Sequence, residues 1–157
     1  MTDFMEVVRK RMSIRKYRPD PVPDKVLTQV LEAARLAPSG GNAQPWHFIV
    51  VKNPRKKKVL DISEWAQQAP IVIVGCTEAS SQTDIAIAFE HLVLAATNFG
   101  LATCWIGRWG ADDEIKKALR IPERIRVLAV TPLGYPAESH PPKPRKAMSE
   151  IVHHEKF

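Results

Sequence analysis

Three stretches of this chain carry side chains suited to gripping an anion or a polar heteroaromatic ring. The first is Arg11-Met12-Ser13-Ile14-Arg15-Lys16-Tyr17. In an extended backbone alternate residues point the same way, so Arg11, Ser13 and Arg15 present two guanidinium forks with a hydroxyl between them, as bidentate phosphate recognition requires. The plainer alternative is a solvated basic turn between a helix and a proline loop. The second stretch is Ala37-Pro38-Ser39-Gly40-Gly41-Asn42-Ala43-Gln44-Pro45-Trp46. Its glycines let a backbone approach closely, and Ser39, Asn42 and Gln44 supply hydroxyl and amide groups that both donate and accept. A flat heterocycle with alternating donors and acceptors suits that mixture, and a Gly-rich helix-to-strand loop capped by Ser39 and Asn42 also accounts for it. The third is Pro144-Arg145-Lys146, a basic pair whose value lies in combination with the other two.

The remaining reactive residues read as structural. Cys76 and Cys104 are flanked by apolar residues and read as buried thiols. His153-His154-Glu155 reads as exposed tail, His91 beside Glu90 as a satisfied buried or interface pair, and His47 as a packing residue at a strand entrance. Arg55-Lys56-Lys57-Lys58 reads as a solvated helix start, with a phosphate contact as the alternative; no aromatic residues interleave it as nucleic-acid binding would require. G-x-G-x-x-G, the P-loop pattern, H-E-x-x-H, C-x-x-C and G-x-S-x-G are all missing. A Rossmann dinucleotide domain, a P-loop, a zincin and an α/β-hydrolase are therefore poorly supported, and no metal site is nominated.

Positioning these residues falls to a chain of 157 residues, 45% of them apolar, which at about 150 residues per domain corresponds to one domain. Its 23 Lys and Arg against 17 Asp and Glu give a formal charge of +6 and raise the question of an acidic partner. Helices are expected over Phe4 to Arg11, Asp24 to Leu36, Thr83 to Phe99 and Asp112 to Leu119. Strands are expected over Phe48 to Val51, Ile71 to Val74, Thr103 to Ile106 and Arg126 to Leu133. Thirteen prolines fall at the boundaries. This order implies an α+β sheet protein rather than a bundle. The helix at Thr83 to Phe99 is apolar on nearly every side, which calls for a central position or a subunit interface; on that reading a charge at Leu92 or Val93 disrupts a dimer. Glu90, His91 and Asn98 within Ile85 to Ile106 argue against a membrane span. Two cysteines and acids in the first ten residues lead to the expectation of a cytoplasmic protein with reduced thiols.

Taken in order, Arg11 to Tyr17, Ala37 to Val51, Gly100 to Gly107, Leu133-Gly134-Tyr135-Pro136 and Pro144-Arg145-Lys146 resemble the nitroreductase family of flavoproteins across the whole chain. The resemblance implies one FMN-binding domain over 1–157, with a central mixed, mostly antiparallel sheet flanked by helices and a C-terminal arm exchanged in a homodimer. It implies two FMN sites at the dimer interface. Arg11, Ser13 and Arg15 would hold the phosphate, the ribityl chain and the flavin's polar edge, with Met12 supplying only backbone or packing. Arg145 and Lys146 would grip the phosphate. Pro38, Ser39, Gly40, Asn42 and Gln44 would come from the other subunit, and backbone groups of Ile106, Gly107 and Arg108 would line the flavin near N5. The implied activity is ping-pong reduction of nitroaromatics, quinones or similar electron-poor acceptors with NADH or NADPH. Reduction of halogenated aromatics or enones, and non-turnover flavin storage or redox sensing, are the alternatives. The chain resembles the short branch of the family, and its candidate lid is limited to roughly Lys52 to Gln68.

Overall fold

The computed structural model describes residues 3–78, 82–108, 110 and 112–157. Helix α1 (Phe4–Lys10) starts where the Asp3 carboxylate accepts the Met5 N–H, and α2 (Asp24–Arg35) buries Leu27, Val30 and Ala34 at helical spacing. Strand β1 (Trp46–Val51) follows, then two short helices, α3 (Pro54–Lys58) and α4 (Glu64–Gln67), and strand β2 (Ile71–Thr77). Helix α5 (Thr83–Asn98) leads to β3 (Ala102–Thr103), β4 (Ile106–Gly107), α6 (Asp113–Leu119) and β5 (Arg126–Gly134).

The strands form one sheet in the order β1-β2-β5-β3, with β4 also on β5, and every strand pair is antiparallel. One isolated parallel bridge, Ser13 to Thr103, lies outside these strands. Burial on both faces explains why β2 shows no polar alternation: all seven of its residues are buried. Ile71 and Ile73 pack with α2 and α5, while Val72, Val74 and Cys76 pack with Ile115 of α6. Gly75 is required at its position because a Cβ there would lie 2.8 Å from the Phe89 ring. Phe89 is fully buried, so its replacement by alanine removes about 3–5 kcal/mol of stability.

Two expectations are corrected. The strand expected over Thr103 to Ile106 is split into β3 and β4, although both halves keep one register on β5. Pro132 of β5 has no N–H to offer, and the Cys104 N–H donates instead to Thr131 Oγ1 at 3.1 Å, so the ladder lapses for two residues. Leu92 and Val93 lie in this chain's own core at 0% and 3% exposure, so they are not interface residues. The half-exposed side of α5 carries Ile87, Glu90, His91 and Leu94.

Candidate functional site

The segment after α1 is extended and stitched to the sheet. Ile14 donates its N–H to the Thr103 carbonyl at 3.0 Å, Arg18 donates to Tyr135 at 2.9 Å, and Ala137 donates back to Lys16 at 2.9 Å. The Tyr17 hydroxyl closes the turn on the Ile14 carbonyl at 2.5 Å, and burial raises its pKa so that it stays a donor. With Ile14 turned into the core at 2% exposure, Ser13 and Arg15 occupy the opposite side of the segment. The Arg15 N–H is held by Glu138 Oε1 at 2.7 Å. Among the described residues neither the Arg11 nor the Arg15 guanidinium forms an ion pair, and the Ser13 hydroxyl has no hydrogen bond. Arg11 lies near Glu90 of α5, whose carboxyl is raised by burial and eased back by Arg11 and His91.

The loop after α2 is built differently. A 3₁₀ turn at Gly40–Asn42 is fixed to the start of α5 by the Gly40 N–H, which donates to Asp84 Oδ1 at 3.1 Å. Ser39 Oγ accepts the Gln44 N–H at 2.9 Å, and the Gln44 side-chain amide donates to the Asn42 carbonyl at 3.2 Å. Gly41, Asn42 and Gln44 all have positive φ, at 56°, 57° and 49°. For Asn42 and Gln44 that conformation costs energy, and such strain gathers at ligand-binding loops. The Pro38, Gly40, Asn42 and Gln44 positions are exposed.

At β4 the ladder decides which backbone groups are free. The Arg108 N–H donates to the Leu128 carbonyl at 2.8 Å, and Ile106 pairs with Val130 two residues back. Antiparallel pairing alternates, so the N–H of Gly107 is directed away from β5. A Cβ at Gly107 would meet nothing within 4 Å, so the face of β4 at this residue is open. The Arg108 side chain turns toward Asp61, with Nη2 to Oδ2 at 2.5 Å, and its buried Nε has no partner. The third basic motif stands apart. All residues from 141 to 157 are exposed, and the Arg145 guanidinium reaches only the carbonyls of Lys143 and Pro144 among the described residues.

Residues that the sequence reading passed over complete this picture. The Arg15 guanidinium sits 5.8 Å over the Trp65 ring of α4. A lone tryptophan in Ser63-Glu64-Trp65-Ala66-Gln67-Gln68 was the available signal, an aromatic among polar residues with no core pattern to explain it. Lys57 is buried at 6% exposure rather than solvated like the rest of its basic run, and desolvation lowers its pKa. His47 pairs with Glu78 at 2.7 Å on the surface instead of packing inward. It borders a hollow of about 240 Å³ floored by Ile49 and Ile125, which shares no residue with the stretches above. His91 Nδ1 approaches the Ala33 carbonyl at 3.2 Å, and both cysteines are free and buried, with the Cys76 thiol pushed up to about 12 by burial. Among the described residues no cluster of three metal-binding side chains occurs, and no helix is long and apolar enough to cross a membrane.

The family model described as "Nitroreductase family" matches residues 8–84 and 64–135, which between them include the stitched segment, the strained loop and β4. The chain belongs to the nitroreductase family. Among similar proteins, "NADH dehydrogenase" of Thermus thermophilus is 30% identical over 96% of this chain and 95% of its own length. "FMN reductase [NAD(P)H]" of Bacillus subtilis is 27% identical over 100% of this chain and 75% of its own. A solved FMN-dependent nitroreductase from Clostridium difficile superposes with a TM-score of 0.90 at 28% identity, covering 98% of this chain and 99% of that one. The nitroreductase fold therefore accounts for the antiparallel sheet and its flanking helices.

Proposed function

We propose that this chain, an NAD(P)H-dependent FMN oxidoreductase of the nitroreductase family, reduces nitroaromatics, quinones or similar electron-poor acceptors by a ping-pong cycle. One observation carries the reading: among the described residues the Arg11 and Arg15 guanidinium groups have no ion-pair partner and the Ser13 hydroxyl no hydrogen bond, on a segment hydrogen-bonded to the sheet. Unpaired guanidinium groups on a fixed backbone fit a phosphate dianion, so the residues present fit FMN.

When bound, FMN supplies the hydride chemistry. The chain's own groups bind and orient it. Arg11, Ser13 and Arg15 take the phosphate, ribityl chain and polar edge, with Met12 packing beside them. The free N–H of Gly107 is available to a ring nitrogen or oxygen, and the Ile106 and Arg108 N–H groups stay with β5. Glu138, by holding the Arg15 N–H, fixes the backbone from which that guanidinium reaches. Pro38, Ser39, Gly40, Asn42 and Gln44 form a preset rim whose geometry is stored in the loop's positive φ angles.

On this reading the folding unit is one domain, 1–157, paired as a homodimer in the cytoplasm. Arg145 and Lys146 reach a phosphate across that interface, because within one chain the Arg145 guanidinium meets only the neighbouring carbonyls of Lys143 and Pro144 among the described residues. Purified protein is expected to be yellow, to release FMN on denaturation, to bleach anaerobically with NADH or NADPH and to recover its colour with a nitroaromatic or quinone. Protein that retains FMN yet is bleached by neither nucleotide would overturn the oxidoreductase reading in favour of flavin storage or sensing. Protein that retains no FMN would overturn the flavin site itself.

A further inference from the structure

On the sheet face that packs against α6, strand register leaves a small hollow. Antiparallel pairing sets His47 opposite Cys76, so alternation along the two strands brings His47, Ile49, Cys76 and Glu78 to one side. The end of α6 and the loop into β5 close the space with Arg120, Ile121, Arg124 and Ile125. Its volume is about 240 Å³. Pockets for drug-sized ligands run to roughly 300–1,000 Å³, so an occupant here is limited to one ring or a short branched chain. The floor is aliphatic and inert. Cys76, Ile121 and Ile125 are buried, and burial keeps the Cys76 thiol protonated, so it lines the hollow and does not react.

The loop that closes the hollow is fixed by its own bonds. Ile125 donates its N–H to the Pro122 carbonyl at 2.9 Å, Ile121 donates to Lys116 at 2.9 Å, and the Lys116 ammonium donates to the Glu123 carbonyl at 2.8 Å. The rim is left cationic. Glu78 is engaged by His47 at 2.7 Å and Glu123 by Lys116 at 3.3 Å, whereas neither Arg120 nor Arg124 forms an ion pair among the described residues. Arg120 ends α6 at φ 55°, in the left-handed region that glycine enters without strain. A side chain held there at a cost points to a use for that side chain.

We propose that this hollow is a second ligand site, for a small aliphatic carboxylate whose hydrocarbon part lies on Ile49, Ile121 and Ile125 and whose carboxylate is gripped by Arg120 and Arg124. The isoleucine floor, with no Phe, Tyr or Trp to stack on, selects a branched or saturated ring body over a flat one. The two unpaired guanidinium groups select the charge: a neutral ligand leaves them unmatched, and an amine meets them with like charge. None of these residues is among those assigned to FMN, so the site stands whether or not the flavin reading does.

The test is methyl NMR of the protein as purified, with labelled isoleucine δ1 methyl groups, titrated with cyclohexanecarboxylate and with its neutral isostere cyclohexanecarboxamide. Saturable shifts are expected at Ile49, Ile121 and Ile125, with the carboxamide binding about tenfold more weakly or worse. Arg120→Gly and Arg124→Gln are each expected to weaken carboxylate binding roughly fivefold, a figure reduced for the exposure of both side chains. Because glycine relieves the positive φ, Arg120→Gly is also expected to unfold at a temperature no lower than wild type. Shifts confined to Ile106 on β4 would place the probe at the flavin stretches and overturn the proposal, as would no shift at all. Equal affinity for the carboxamide would overturn the anionic grip, and so would full affinity in both arginine variants. Weakened binding in Arg120→Gly with a lowered unfolding temperature would make Arg120 a structural residue and overturn its part in the grip, while Arg124→Gln tests the remainder.

Discussion

Two basic segments of this chain, Arg11 to Tyr17 and Lys143 to Lys146, carry the same chemistry and meet opposite fates. The first is bonded to the sheet through Ile14 and Arg18 and presses Ile14 into the core. The second lies in an arm where every residue from 141 to 157 is exposed, including Met148 at 70%, Ile151 at 56% and Phe157 at 106%. An arm with several uncovered apolar side chains is incomplete as a fold, and a second copy of the chain is the cover we propose for it. On the proposed reading the contrast means that one chain builds one half of the anion site, while its other half waits on assembly.

The harshest way to break that contrast is to place a charge in each segment. Ile14→Asp removes roughly 1.5–3 kcal/mol of apolar burial and strands a carboxylate in the core, so a total loss of about 4 kcal/mol or more is expected in urea unfolding. Ile151→Asp is expected to leave unfolding of the isolated chain within about 0.5 kcal/mol of wild type and to weaken self-association in sedimentation. Equal destabilisation by the two changes would erase the distinction between a folded segment and an arm.

How far the sequence shows this division depends on the signal each element emits. Periodicity marks α2, α5, β2 and β5 because their burial faces are long and regular. Asp24–Arg35 ends one residue before the expected Leu36, and β2 continues past Val74 to Thr77. The α3 and α4 helices are too short to show a period, and they are held by side-chain bonds from Lys57 and Gln67 to backbone carbonyls, which a hydrophobic pattern does not register. The β3–β4 break depends on Pro132, a residue of the partner strand, so no local reading of Thr103 to Ile106 exposes it. Leu92 and Val93 look interfacial because α5 is apolar all round; which side meets α2 and the sheet is a tertiary fact. Among candidate site residues, Arg11, Ser13, Arg15 and the Gly40–Gln44 loop stand out by type and spacing. Trp65, Asp61 and Glu138 do not, because each matters only through a neighbour distant in sequence.

The arginines sharpen the comparison further. Arg15→Ala and Arg145→Ala are each expected to weaken FMN retention by about 1.5–3 kcal/mol, the worth of a hydrogen bond to a charged group. Their dependence on protein concentration is expected to differ. Arg15 acts from within its own chain, so its variant's deficit persists at every concentration at which flavin release is followed. On the proposed reading Arg145 acts across the interface, so the deficit of Arg145→Ala relative to wild type is expected to vanish once both proteins are diluted until they dissociate. A deficit for Arg145→Ala that stays undiminished in fully dissociated protein would place the arm on its own chain.

The smallest expected effect concerns the brace behind Arg15. The Arg15 N–H, bonded to Glu138 Oε1 at 2.7 Å, holds that carboxyl below its ordinary value, with His140 and Lys16 adding to the same direction. A depressed carboxylate contributes fully above the ordinary carboxylate range and loses its contribution as pH falls through the lowered folded value. The grip on Arg15 is thus present at neutral pH and released only in acid, below the range where a free glutamate protonates. Glu138→Gln keeps an acceptor oxygen for the Arg15 N–H but has nothing to titrate. FMN retention measured against pH in both proteins separates this brace from the flavin phosphate's own protonation, which the two share. The wild-type curve is expected to fall below the variant's starting ratio only at the acid end, and curves that stay parallel throughout would show that the Arg15 backbone is held by the Ile14–Thr103 and Ala137–Lys16 bonds alone.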